Sequence, residues 1–368
     1  MRDNRLVTLA DILVKHSLEL KKNDVFIISA TPVASPLVKE VYSKALEVGA
    51  HPHIRLGLSG LAEHFYKHAS EDQLKFVSPL STYEIQTVDA RLAIISSENT
   101  KSMTNIDPMK QSISSKAHQQ IHNIFLQRAA KKELRWCVTQ YPTNAAAQDA
   151  EMSLEEYEEF IFKAGNVYEK NPLHHWRQMY KNQEKIKTLL EKKTKIQVVA
   201  DNTDLTVNVK GRKWINCHGK ENFPDGEVFT GPIEKSAKGH ISFSFPAVHG
   251  GREVNDVCLY FEKGKVVKEQ ASKGEKFLKT MLDMDKGSRY IGEFAFGTNY
   301  GVKKYTKNTL FDEKIGGTIH IAVGSGYPET GSKNISSLHW DMMCDLRKTG
   351  EVYADGELIY KKGKFLSL

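Results

Sequence analysis

The chain is poor in the features that would simplify its reading. Only four cysteines occur in 368 residues, and Cys137, Cys217, Cys258 and Cys344 lie far apart with no C-x-x-C pair. That spacing excludes a disulfide-stapled scaffold and predicts reduced, mostly buried thiols. Long apolar runs are missing too: no stretch of about 18 residues is free of charge. The opening segment, Met1 to Leu20, carries Arg2, Asp3, Arg5, Asp11, Lys15 and Glu19. Neither a transmembrane helix nor a signal peptide fits this pattern, so a cytoplasmic protein without a membrane partner is expected.

Familiar catalytic motifs are lacking as well. There is no H-E-x-x-H, no Walker phosphate loop and no G-x-S-x-G. Gly324-Ser-Gly326 begins a dinucleotide pattern, but Glu329 stands where its third glycine belongs. The zincin, nucleotide-binding and serine-hydrolase readings therefore fall away. A formal net charge of +7 raises the question of nucleic acid. Its distribution answers against it, because the lysines of Lys181 to Lys195 are interrupted by Glu184 and Glu191 and backed by Ile186, Leu189 and Leu190. That is a solvated helix face. No zinc-finger spacing, RNP-like aromatic strand or Arg-rich segment accompanies it, so no nucleic-acid partner is expected.

What is present is an ordinary globular composition, 40% hydrophobic and 26% charged, in a chain long enough for about two domains. Helical spacing over residues 5–21 leads into the strand-like Val25 to Ser29. Pro36 to Gly49 is again helical and is followed by His51 to Leu56. Arg91 to Ser96 and Leu134 to Gln140 are further strand candidates, separated by the helical pattern of Ser115 to Lys132. This alternation predicts an α/β domain with a largely parallel sheet. A helix-rich segment over 153–192 opens with the capping-box pattern Ser153-Leu-Glu-Glu156.

From about Lys195 the texture changes to short alternating runs punctuated by glycine. They include Ile196 to Ala200, Leu205 to Val209, Ile241 to Phe245, Val257 to Phe261, Lys265 to Gln270, Thr318 to Val323, Ser336 to Met342 and Val352 to Tyr353. A mainly antiparallel, β-rich α+β domain is expected there, giving an N-terminal domain over 1–190 and a C-terminal one over 191–368.

The chemistry-bearing residues concentrate in that second half. Glu227 sits in Pro224-Asp-Gly-Glu-Val-Phe-Thr-Gly-Pro232, and Glu293 in the strand-like Tyr290-Ile-Gly-Glu-Phe-Ala-Phe-Gly297. His320 lies inside the apolar Ile319 to Val323, downstream of Leu310-Phe-Asp-Glu313. His339-Trp-Asp341 puts an imidazole and a carboxylate two residues apart, hence on one face of a strand. A lone histidine in an apolar strand is more often a core residue than a ligand. The recurrence of carboxylates and imidazoles in strand-like runs weakens that reading, since buried charge needs compensation and few lysines or arginines accompany these segments. Divalent cations would supply it: mixed carboxylate and histidine ligands suit zinc, cobalt or manganese, and several carboxylates favour a two-metal site.

Segments 224–232, 291–299, 309–328 and 338–342 closely resemble the thermophilic metallo-aminopeptidase family, typified by aminopeptidases T, S and II. Met152-Ser-Leu-Glu-Glu-Tyr-Glu158 and Arg135-Trp-Cys-Val-Thr-Gln-Tyr-Pro-Thr143 extend the likeness over nearly the whole chain. The resemblance implies two divalent metals held by Glu227, Glu293, His320, His339 and Asp341, with Glu293 bridging and Glu313 as a sixth ligand. It also implies catalysis by Tyr327, peptide substrates with a free N-terminus, and a homodimer; the mechanism further needs a carboxylate to carry a proton to the leaving amine, for which Glu227 and Glu293 are the nearest candidates. A non-peptidase dinuclear hydrolase acting on an amide or phosphoester, and a non-catalytic metal-stabilised binding protein, use the same ligand set and stay open at this point.

Overall fold

The computed structural model describes residues 2–366. Its chain divides into two units, one running up to Leu173 and including Gly219–Pro224, the other formed by His174–His218 and the chain from Asp225 onward. Among the described residues no helix is long and apolar enough to cross a membrane.

In the first unit Val25–Ala30, His51–Leu56, Ala90–Ile95 and Arg135–Gln140 form a parallel sheet, each strand within a residue of its sequence-predicted position. Asn222–Phe223 joins as a short fifth parallel strand beside Arg135–Gln140. The first helix begins at Asn4, where the Asp3 side chain accepts from the backbone N–H of Arg5, and continues past Ile12 as a π-turn to Ser17. Helix was expected over Ser115 to Lys132 without a break. It is instead two helices, Pro108–Ala117 and Gln119–Ala130, which meet at His118, where the backbone leaves helical geometry (ψ 2°) although its N–H still donates to the Ser114 carbonyl over 3.1 Å. The capping box forms: the Ser153 hydroxyl accepts from Glu156 N–H, and the Glu156 carboxylate from Ser153 N–H.

The second unit holds two large antiparallel sheets and a small hairpin. The eight-stranded sheet runs Lys265–Gln270, Cys258–Glu262, Lys238–Ser242, Thr203–Asn208, Lys195–Ala200, Glu351–Ala354, Glu357–Lys361, Lys364–Phe365. The five-stranded sheet runs His339–Asp345, Thr318–Gly324, Ile291–Gly297, Glu227–Thr230, Ile215–Cys217. Their facing side chains form one core, in which Val198, Leu205, Ile241, Leu259 and Val352 meet Phe294, Phe296, Ile319, Ile321, Val323 and Trp340. At roughly 25 cal/mol per Å² of buried apolar surface, this core is the main source of the unit's stability.

Candidate metal centre

The five-stranded sheet sorts its side chains by parity. Phe294, Phe296, Ile319, Ile321, Val323, Trp340, Met342 and Val228 point into the apolar core. The alternate residues therefore share the opposite face, and these are Glu227, Glu293, His320, His339 and Asp341. Cross-strand register makes them neighbours: Gly297 pairs with Glu227, Ala295 with His320, Glu293 with Ala322, and Ala322 with Asp341. The small residues Gly297, Ala295 and Ala322 leave room above the sheet for long ligating side chains.

Two glycines permit the close approaches. A β-carbon on Gly292 would stand 2.1 Å from the Ser325 carbonyl oxygen. The register shifts between Ile291 and Glu293, so this glycine lies in a bulge that re-aims Glu293. A β-carbon on Gly297 would stand 2.2 Å from the Ile315 carbonyl oxygen. Its absence lets the turn carrying Glu313 cross the strand end.

The result is a ring of ligand atoms. His320 Nε2 lies 3.5 Å from Glu227 Oε2 and 3.4 Å from Glu293 Oε1, while His339 Nε2 lies 3.4 Å from Glu293 Oε2 and 3.5 Å from Asp341 Oδ2. Charge-assisted hydrogen bonds are shorter, about 2.7–2.9 Å. Two ligand atoms on one tetrahedral cation at about 2.0–2.2 Å would be separated by about 3.3–3.6 Å. The observed spacings match the second case. Glu227 Oε2, His320 Nε2 and Asp341 Oδ1 are buried without hydrogen-bond partners, as expected of atoms reserved for a cation; His320 Nδ1, on the opposite edge of the ring, is unpartnered too and faces none of these ligand atoms. Three triplets bring their ligand atoms within 4.8 Å of one another among the described residues: Cys217–Asp225–Glu227, Glu227–Glu293–His320 and Glu293–His339–Asp341; the two that contain histidine share Glu293. The donor set therefore fits divalent cations.

A family profile described as thermophilic metalloprotease (M29) matches residues 2–365. The chain belongs to the thermophilic metalloprotease family. Aminopeptidase 2 of Geobacillus stearothermophilus is 26% identical over 364 residues, covering 91% of this chain and 87% of that protein. Aminopeptidase T of Thermus thermophilus is 26% identical over 394 residues, covering 95% of each. The solved wild-type AmpT of Thermus thermophilus superposes with a TM-score of 0.86 at 24% identity, covering 98% of this chain and 99% of that one. A 2,5-dihydroxypyridine dioxygenase from Pseudomonas putida shares the fold at a TM-score of 0.59 and 12% identity, covering 100% and 98%. The architecture alone therefore does not choose a chemistry.

In this thermophilic metalloprotease fold, two further predicted residues border the ring. Glu313 follows the short Thr309–Asp312 helix, which the Asn308 side chain caps. Asp312 accepts from Thr306 N–H and hydroxyl and from Asn308 N–H, fixing the turn. Tyr327 lies at the rim, 39% exposed, its ring 5.1 Å from that of Phe229 and 5.3 Å from that of His339. Burial and the nearby carboxylates Glu293, Asp341, Glu313 and Glu227 hold its phenol above the ordinary range. It stays protonated and able to donate. His339 is oriented by its Nδ1, which donates over 2.8 Å to the Ser325 carbonyl and leaves Nε2 for a ligand.

Sequence reasoning missed three participants. Lys314, only 1% exposed, reaches Glu227 Oε1 at 2.7 Å and Glu313 Oε2 at 2.8 Å. Asp225, fully buried, has Oδ1 3.9 Å from the same ammonium. Gln183 donates through Nε2 to the carbonyls of Glu227 and Cys217 and to the Thr298 hydroxyl, fixing the strand that carries Glu227. The signal for Lys314 was its place: it follows Glu313 directly and precedes Ile315-Gly-Gly317, where the chain already enters a buried strand.

Without a cation the cluster must find its positive charge in protons. Burial pushes His320 down, but its contact with Glu293 and the charges of Glu227, Glu293 and Glu313 prevail and raise it to about 9. Burial is likewise overcome at His339, which Asp341 and Glu293 push up to about 12. Burial raises Glu227, and raises Glu313 well above the usual range, both against the pull of Lys314. These raised histidines stabilise the metal-free fold fully below about pH 6.5, and that contribution fades as pH rises, through about 9 for His320 and about 12 for His339. A cation must displace the same protons. Chelation should therefore lower Tm, zinc, cobalt or manganese should restore it, and the metal-induced rise should be larger at about pH 8.5 than at about pH 6. Scanning calorimetry of stripped and reloaded protein checks this; a Tm indifferent to confirmed metal loss would contradict it.

Proposed function

We propose that this chain is an aminopeptidase that removes N-terminal residues from peptides with two divalent cations, zinc, cobalt or manganese, sharing Glu293. The observation that carries the reading is the pair of triplets with one carboxylate in common, each Glu293 oxygen facing a different histidine at 3.4 Å. Glu227 and His320 complete one group and His339 and Asp341 the other, with Glu313 adjoining. When bound, the cations supply a water activated near neutral pH and a Lewis acid for the scissile carbonyl.

The chain's own groups then have separate tasks. Tyr327 donates from its phenol to the oxygen that gains negative charge as the carbonyl carbon becomes tetrahedral, where a fixed dipole contributes most. The cluster's carboxylates attract the free α-amine and so select the chain end. Glu227 and Glu293 are the carboxylates assigned to carry the proton to the leaving amine. On the same reading the protein works in the cytoplasm as a homodimer.

N-acetylation of a peptide substrate should abolish turnover while C-terminal amidation leaves it intact, in a chromatographic assay of peptide hydrolysis. Equal cleavage of acetylated and free peptides would indicate an endopeptidase, and turnover of amides or phosphoesters alone another hydrolase.

Tyr327→Phe separates chemistry from packing, because it keeps the ring between Phe229 and His339 and removes only the hydroxyl. Steady-state kinetics should show kcat lower by roughly 10²–10³-fold, about 3–4 kcal/mol, with KM little changed and metal content unaltered. Wild-type kcat in the metal-loaded variant would leave the tyrosine a packing role only.

A further inference from the structure

Lys314 is an unusual residue for this place. Its ammonium is buried beside three carboxylates, those of Glu227, Glu313 and Asp225. Both ends of its peptide are pinned: Lys314 N–H donates to the Phe311 carbonyl over 3.0 Å, and its own carbonyl accepts from Asn299 N–H over 3.0 Å. The side chain is therefore aimed from a fixed base. A buried cation placed only to neutralise charge could sit anywhere among the acids. This one takes one oxygen from Glu227 and one from Glu313, at 2.7 and 2.8 Å, the lengths of charge-assisted hydrogen bonds. It leaves Glu227 Oε2 buried, without a hydrogen-bond partner, and turned towards His320.

We propose that Lys314 is a positioning residue that makes Glu227 and Glu313 one-oxygen ligands, so that neither carboxylate chelates a cation through both oxygens. The proposal rests on the two-cation reading above. Its consequence is an open position: a carboxylate that could close on the metal with both oxygens would take the place that a catalytic site keeps for water or substrate. Charge agrees with this arrangement. When ionised, Asp225, Glu227, Glu293, Glu313 and Asp341 carry five negative charges, which two divalent cations and one ammonium balance.

The most direct test uses the wild-type protein loaded with cobalt and crystallised. Lys314 Nζ should remain on Glu227 Oε1 and Glu313 Oε2, and neither carboxylate should offer a cation both of its oxygens. Chelation of a cation by either carboxylate through both oxygens overturns the proposal. The second arm is Lys314→Met, purified in cobalt so that the added cations compensate the missing ammonium. Its visible cobalt absorption should lose intensity relative to wild type as the extra carboxylate oxygen raises the coordination number, and metal loading should raise its Tm by more than it raises that of wild type. An unchanged spectrum with full cobalt content, or an equal loss of Tm in the stripped and loaded forms, would make Lys314 a packing residue and sink the idea. Failure of the underlying reading shows separately, as wild-type protein that takes up fewer than two cobalt ions per chain.

Discussion

Carboxylates crowded on the buried end of a sheet repel one another unless positive charge is held among them, and the rest of this site follows from that constraint. Lys314 supplies one such charge, in contact with Glu227 and Glu313. Metal-free, protons on His320 and His339 supply two more, both imidazoles being raised by the surrounding carboxylates, and the raised Glu227 and Glu313 favour their neutral forms. On the proposed reading, divalent cations would replace those protons with charge that the 3.4–3.5 Å spacings accommodate. The penalty for an uncompensated buried carboxylate is several kcal/mol. On the proposed two-cation reading, bound metal would thus contribute to the stability of its unit as well as to its chemistry.

The sheet can tolerate such a cluster because its two faces have different duties. One face, with Phe294, Phe296, Ile319, Ile321 and Trp340, belongs to the apolar core. The other carries the candidate ligands Glu227, Glu293, His320, His339 and Asp341 among Ala295, Gly297 and Ala322, so these side chains sit on hydrogen-bonded strands rather than loops. Only Glu313 and Tyr327 come from turns. Both turns are tied down, the first through Asp312 and the second by the Thr330 hydroxyl, which donates to the Tyr327 carbonyl over 2.6 Å. Rigidity of this kind holds reacting groups in place at little entropic cost at the moment of reaction.

Much of this was legible in the residues. The strands of the parallel sheet stood out as apolar runs bounded by turn formers, and the period of two in His339-Trp-Asp341 placed both side chains on one face. Other features left no local trace. The strand from Glu227 to Thr230 is four residues long and bracketed by glycine and proline, so it reads as a turn until Ile291–Gly297 pairs with it. Gln183 lies on a helix whose lysines suggest only a solvated face; its role depends on the distant carbonyls of Cys217 and Glu227. Lys314 stands beside Glu313 in sequence, but its contact with Glu227, on a distant strand, is not displayed there. Long-range partners decide each of these cases, and a single sequence does not display them.

The central claim is that one carboxylate, Glu293, serves two cations. Metal content per chain, measured by elemental analysis on gel-filtered protein, tests it most directly across Glu293→Ala, His320→Ala and His339→Ala. The account predicts two equivalents in the wild type, about one in each histidine variant, and close to none in Glu293→Ala, because that change removes a ligand from both groups at once. A Glu293→Ala protein that still holds two equivalents as firmly as the wild type would contradict it.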